Sequence, residues 1–322
     1  MTPPQTLAEW QAQRAQVRAT AWKLLGDLPP LVTPQARTLW QIPREHYTIE
    51  KFAFDNGYNS TIYGYVLIPH GLTAPAPAVL FNHWHAGQYE VGKDEMFKDR
   101  VKVPAIGPAL AEAGYVVMGI DAYGFGERQG FGPGSERNLN MMIELALAKR
   151  FLWEGRTYWG MIVRDDLMAL DYLCTRPEID PNRIAATGMS LGASRTTWVS
   201  AMDERIKVTI PVAQMTRYQD FAARGEFNHH GIYYYLPGAL VSGIDMEHIA
   251  SLTAPRAQLV LVGDQDALAP IEGVRTINTF ASKVYDLYGV ADHFKTVIDP
   301  GIAHDYTPTM FTAMMDWLKR YL

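Results

Sequence analysis

The apolar positions of this chain follow two patterns in succession. From His46, HYTIEKFAF and STIYGYVLIP alternate apolar with polar residues and are separated by Asp55, Asn56 and Gly57. That spacing predicts an antiparallel hairpin. After it come short apolar runs without alternation: PAVLFNH from Pro77, GYVVMGID from Gly114, RIAATGM from Arg183, IKVTIPV from Ile206, AQLVLVGD from Ala257 and KTVIDP from Lys295. A continuous apolar run suits a strand covered on both faces, as in a parallel sheet. Most of the runs are followed by a helical period, as in MIVRDDLMALDYL, and TMFTAMMDWLKRYL closes the chain. The predicted fold is therefore α/β, a mostly parallel twisted sheet with helices on both faces.

Three segments stand apart from this alternation. Residues 1–44 read as a helical arm, an amphipathic helix followed by a connector punctuated by Pro29, Pro30 and Pro34. The helix is too polar for a core position and is expected to pack across the main domain, 45–322, or across a partner subunit, so a homo-oligomer through the arm is one expectation. Residues 131–160 contain NLNMMIELALAKRFLWEG, a helix with no strand after it. An insertion at the C-terminal edge of a parallel sheet lies over the usual ligand crevice, so this segment is expected to be a partial lid. Residues 214–243, rich in aromatics and His, are expected to share that role.

The 322 residues carry 29 Lys plus Arg against 34 Asp plus Glu, a formal net charge of -5. This balance argues against nucleic-acid binding through bulk positive charge. The lone cysteine, Cys174, excludes an internal disulfide and makes a cytoplasmic setting the default expectation. The opening MTPPQTLAEWQAQRAQVRATAWKLLG has no apolar core that would mark a signal peptide, and no stretch reaches the length of a membrane span.

The strongest chemical signal is Gly188-Met189-Ser190-Leu191-Gly192, which ends a predicted strand and opens a predicted helix. A serine on such a turn is strained, its neighbours must be small, and the helix N-terminus faces its hydroxyl. A serine needs a base, and in this arrangement the acid and then the histidine follow in the chain. Asp264 and Asp266 lie just past a strand, with Asp266 favoured because it sits further into the loop; His304 follows the next strand. An oxyanion hole needs the N–H of Leu191 and a second donor from the loop Asn82-His83-Trp84-His85-Ala86-Gly87, supplied by Trp84 or His85. His83 and His85 together with His229 and His230 suggest a rival zinc site. The chain has neither an HExxH motif nor a cysteine ligand pattern, so no metal is expected.

These residues give the chain its resemblance to the α/β-hydrolase superfamily, in its dienelactone-hydrolase-like and acetylxylan-esterase-like branch, related to the catalytic domain of prolyl oligopeptidases. The resemblance runs from about His46 to Leu322. It rests on the elbow at Ser190, on Gly263-Asp264-Gln265-Asp266 with Pro270, on His304, on the stretch from Asp171-Tyr172-Leu173 to Arg183-Ile184, and on Asp121-Ala122-Tyr123-Gly124-Phe125-Gly126. It implies Ser190 as nucleophile, Asp266 as acid, His304 as base, an acyl-enzyme and no cofactor. Where the family often has His-Gly, this chain has His83-Trp84. That departure leaves the second oxyanion donor open and is expected to narrow the acyl pocket.

The expected activity is hydrolysis of a small-molecule carboxylic ester, with no nucleic-acid or membrane partner. Aromatic residues in and beside the lid-like segments leave both acetylated carbohydrates and aryl esters as substrates. His83, Tyr123, Phe125, Trp159, His229, His230 and Tyr234 are the candidate pocket residues. The alternatives are a serine peptidase of the prolyl-oligopeptidase type and a catalytically silent binding protein on the same fold.

Overall fold

The computed structural model describes residues 1–129, 141–213, 215–225 and 227–322. In chain order the elements are α1 (Leu7–Leu25), β1 (Arg37–Pro43), β2 (Tyr47–Asp55), β3 (Thr61–Pro69), β4 (Ala76–Asn82), α2 (Ile106–Glu112), β5 (Val116–Ile120), α3 (Met141–Trp153) and α4 (Tyr158–Cys174). They continue with β6 (Ile179–Met189), α5 (Leu191–Met202), β7 (Ile206–Val212), α6 (Tyr218–Arg224), α7 (Met246–Ser251), β8 (Ala257–Gly263), α8 (Ile271–Leu287), β9 (Phe294–Asp299) and α9 (Pro308–Tyr321). The strands form one nine-stranded sheet in the order β1-β2-β3-β5-β4-β6-β7-β8-β9. β1, β2, β3 and β5 pair antiparallel in sequence along the sheet, and every pair from β5–β4 to β8–β9 is parallel.

The unbroken apolar runs are explained by cover on both faces. Along β4, Ala78 and Leu80 join the core beneath α4, α5 and α8, whereas Val79 and Phe81 join the core beneath α2 and α9. Along β8, Val260 and Val262 face the first of these cores and Leu259 and Leu261 the second. α9 starts sharply: Thr307 accepts a hydrogen bond from the Met310 N–H, and Pro308 stands in the first turn. Met310, Met314, Trp317 and Leu318 then bury one stripe of it. Among the described residues no helix is long and apolar enough to cross a membrane.

The arm packs against the main domain through α1 and adds a strand to its sheet. α1 buries Trp10, Val17, Ala21, Leu24 and Leu25, and Trp10 meets Phe280 of α8 edge to face at 6.1 Å. Its apolar stripe is thus satisfied by its own chain. The sheet also begins inside residues 1–44, because β1 pairs with β2 ahead of the predicted hairpin. β1 is exposed along its whole length, so no buried alternation marks it.

Beneath the rim of the sheet, buried charges join the helices. Arg195 of α5 reaches Asp166 of α4 with both a 3.0 Å and a 2.6 Å hydrogen bond, and neither side chain is exposed to more than 1%. Removing one member of such a pair strands the other charge away from water. Asp166→Ala is therefore expected to lower the stability by about 3–5 kcal/mol, measured by urea unfolding. The paired replacement Asp166→Leu with Arg195→Met should cost clearly less.

Candidate active site

β6 delivers Ser190 to the C-terminal edge of the sheet, where its backbone takes φ +79° and ψ -106° before α5 begins. A non-glycine residue in this left-handed region is strained and must be held by its surroundings. The hold is visible. Ser190 donates its N–H to the Val212 carbonyl of β7 at 3.0 Å. A Cβ on Gly188 would come within 2.1 Å of the Asn82 carbonyl oxygen, and one on Gly192 within 2.0 Å of the same atom. Both flanking glycines are required because the end of β4 lies directly against the turn.

The next two loops bring the acid and the imidazole to the serine. Asp264 accepts the Gly301 N–H at 2.7 Å and the Gln265 N–H reaches the Ile302 carbonyl at 2.9 Å, so the loops after β8 and β9 are laced together. Asp264 thereby holds the turn, and Asp266 reaches inward. Asp266, 4% exposed, accepts the Leu268 N–H at 2.8 Å through one oxygen and meets His304 Nδ1 at 2.7 Å through the other. His304 Nε2 lies 2.8 Å from Ser190 Oγ. With a carboxylate at Nδ1, that nitrogen carries the proton and Nε2 faces the hydroxyl as an acceptor. The structure thus joins Ser190, His304 and Asp266 in one hydrogen-bonded chain.

The loop after β4 forms the opposite bank. His83 is fully buried: Nδ1 donates to the Trp84 carbonyl at 2.9 Å and Nε2 accepts the Ala122 N–H at 3.0 Å. Burial, followed by the Arg195 charge, holds its pKa well below the ordinary range. His85 accepts the Gly87 N–H at Nδ1 and donates from Nε2 to the Tyr233 hydroxyl at 2.7 Å. Burial and then the nearby His304 push its pKa down to about 4. Both rings are neutral near pH 7 and their nitrogens are already occupied, so neither offers a metal a lone pair. Among the described residues no group of three or more His, Cys, Asp or Glu is placed to hold a metal ion. The Trp84 ring turns toward the core beneath α2 and α9, with the Arg100 guanidinium 4.2 Å from its centroid.

The remaining candidate pocket residues divide into supports and walls. Phe125 is buried, stacked on Tyr89 at 5.1 Å and packed against His85 and His83. Tyr123 lies buried under the Arg128 guanidinium, and Trp159 is buried against Tyr233 and Tyr234. These rings anchor the rim and offer no free face for stacking. His230 and Tyr234 line a cavity next to α5, and His229 lies exposed beside them. The Asp121 turn is organised by its carboxylate, which accepts the Lys93 N–H at 2.8 Å and the Glu127 N–H at 3.1 Å and pairs with Lys93 Nζ at 2.7 Å.

No sequence motif marks Glu144 or Tyr89, yet they connect the two lid-like segments. Glu144, on α3, is 1% exposed; it accepts the Tyr89 hydroxyl at 2.6 Å and the Ile232 N–H at 3.1 Å. Residues 131–140 of the first segment, and 214 and 226 of the second, lie outside the described residues. The last residues of the first segment, 158–160, form the opening turn of α4.

The fold and its strained elbow define an α/β-hydrolase. The chain belongs to the Abhydrolase family, whose model matches residues 1–225, a span that includes Ser190 and ends before Asp266 and His304. The "Putative hydrolase YtaP" of Bacillus subtilis (strain 168) is 36% identical over 311 residues, 96% of this chain and 100% of that protein. Two solved structures share the fold. A "putative acetyl xylan esterase" from Bacteroides fragilis NCTC 9343 has a TM-score of 0.76 at 19% identity, covering 93% of this chain and 77% of that one. A glucuronoyl esterase from Solibacter usitatus has a TM-score of 0.67 at 16% identity, covering 98% and 93%.

Glu144 generates a pH-dependent prediction. Desolvation raises its pKa from 4.5 to about 7, against the opposing hydrogen bonds from Tyr89 and Ile232. The folded state therefore binds more protons than the unfolded state between those values, and stability falls as pH rises through that window. Glu144→Gln is expected to match the wild type near pH 4.5 and to exceed it above pH 7 by up to roughly 3 kcal/mol. Thermal unfolding across that range checks this. A wild-type advantage above pH 7 would contradict it.

Proposed function

We propose that this protein is a serine hydrolase that cleaves a carboxylic ester through an acyl-enzyme. The observation that carries this reading is the unbroken path from Ser190 Oγ to His304 Nε2 at 2.8 Å and from His304 Nδ1 to Asp266 at 2.7 Å. It is built on a serine held at φ +79°.

In the first half-reaction His304 Nε2 takes the hydroxyl proton as Ser190 Oγ bonds to the ester carbonyl carbon. Negative charge develops on the carbonyl oxygen, where the Leu191 N–H at the start of α5 and a second N–H from residues 84–85 hold it. The proton on Nε2 then passes to the alkoxy oxygen as its bond to carbon breaks, and the alcohol leaves. Water gives a proton to Nε2 and attacks the acyl carbon. The carboxylic acid departs as Oγ recovers a proton. Asp266 keeps the imidazole in the required tautomer and balances its charge when doubly protonated. Each step draws on side chains and backbone N–H groups of the chain together with water.

The reading requires only a carboxylic ester, and acetylated carbohydrates and aryl esters are two substrate classes compatible with it. The names of the structural neighbours, acetyl xylan and glucuronoyl esterases, support ester over peptide cleavage.

A fluorophosphonate probe labels only an activated serine, so it should modify the wild type and leave Ser190→Ala untouched. Ser190→Ala should lower kcat for 4-nitrophenyl acetate by about 10⁶-fold, and Asp266→Asn by about 10⁴-fold, with circular dichroism unchanged. Full turnover by folded Ser190→Ala would refute the reading.

A further inference from the structure

Next to the serine lies a cavity of about 260 Å³ that the reaction steps above leave unused. Ser194 and Trp198 of α5 form its floor. Ser194 donates its N–H to the Ser190 carbonyl at 3.1 Å. The cavity therefore opens one helical turn from the nucleophile, roughly 5 Å along α5. His230 forms part of the wall, and the charges of His304 and Asp266 both act on its ring. Phe221, Tyr234, Leu236, Leu240 and Met246 add apolar walls.

Ser194, Trp198, Tyr218 and Tyr234 present their rings and short side chains to the cavity. Several polar groups of this lining are already committed elsewhere in the chain. Thr216 donates to the Pro270 carbonyl at 3.0 Å and Tyr235 to the Phe227 carbonyl at 2.7 Å. Arg217 is paired with Glu247 at 3.0 Å and with Asp220 at 3.2 Å. His230 Nε2, by contrast, is buried with no partner among the described protein atoms. Because the lining is mostly apolar, a sugar ring placed here would leave several of its hydroxyls without partners, and unsatisfied buried hydroxyls oppose binding. An alkyl chain or an aromatic ring meets a lining that is mostly carbon. A dry protein cavity of about 150 Å³ already accepts benzene, so the volume here is ample for a single ring or a medium-length chain.

We propose that this cavity binds an apolar group of the ester substrate, a medium-length alkyl chain or a single aromatic ring, which sets the specificity of the enzyme. The inference rests on the hydrolase reading, because the reacting carbonyl must sit at Ser190 while its apolar group enters the cavity. That group can belong to the acyl or to the alkoxy half of the ester, and the chemistry of the walls is the same for both.

Two substrate series separate those sources in a pH-stat assay: methyl esters of acetic, butanoic, hexanoic and benzoic acids, and the methyl, butyl, hexyl and benzyl esters of acetic acid. kcat/KM should rise by about fourfold per added methylene in at least one series, and the series that rises identifies the half of the ester held in the cavity. Ala222→Trp, which places bulk in the cavity, should flatten that rise. Leu240→Trp, at its half-exposed rim, serves the same purpose should the first variant fold poorly. Two flat series, or a slope unchanged in a folded cavity variant, would overturn the proposal. A binding measurement keeps it distinct from the hydrolase reading. Calorimetry on Ser190→Ala should show benzyl acetate or methyl benzoate binding at least tenfold more tightly than methyl acetate, with the difference lost when a cavity variant is added. Equal affinities among all three would sink the cavity assignment alone, whereas unlabelled Ser190 and no ester turnover would sink the reaction.

Discussion

The close approach of β4 to the β6–α5 turn is the constraint on which the rest of the site depends. Asn82 pairs with Gly188 in the parallel register of β4 and β6, and its carbonyl leaves no room for a side chain at Gly188 or Gly192. Its side-chain amide donates to Thr196 at 3.0 Å, which ties the end of β4 to α5 as well. With β4 on one side and the Val212 carbonyl on the other, Ser190 is held in a left-handed conformation. That conformation lifts Oγ out of the sheet edge toward His304. The local strain is maintained by surrounding packing, as strain at a reacting group must be.

The rim around the serine is held by buried polar contacts more than by regular structure. Asp121 gathers Lys93 and the backbone of Glu127 into one turn, and a Cβ on Gly92 or Gly126 would strike its carboxylate at 2.1 and 2.2 Å. Phe125, presented by that turn, packs against both His83 and His85. His85 is fixed through Tyr233, and Glu144 joins the backbone at Ile232 to Tyr89. The two insertions are thereby locked to each other and to the loop after β4. Neutral, fully bonded histidines on this bank leave His304 as the imidazole that faces the serine.

An apolar cavity one helical turn from Ser190 sits well with this design. Apart from His230, whose Nε2 has no partner among the described protein atoms, the polar side chains described close to the reacting atoms belong to the Ser190–His304–Asp266 chain or are bonded to the scaffold. Selectivity would then arise from carbon surface and shape, with the orientation of the carbonyl set by backbone donors.

How much of this was legible along the chain follows from the range of the forces involved. Strands covered on both faces leave unbroken apolar runs, so β4 to β9 and their parallel pairing could be read directly. The glycines around Ser190 and the order of Ser190, Asp266 and His304 also survive as linear patterns, because a tight turn and successive strand ends impose them locally. β1 left no such trace, since an exposed edge strand needs no buried alternation. The partnership of Glu144 with Tyr89, the inward burial of Trp159 and Tyr123, and the cavity beside α5 could not be read in advance. Each depends on side chains from segments far apart in sequence, and only tertiary packing decides which of them meet, which are sealed from water and which face open space.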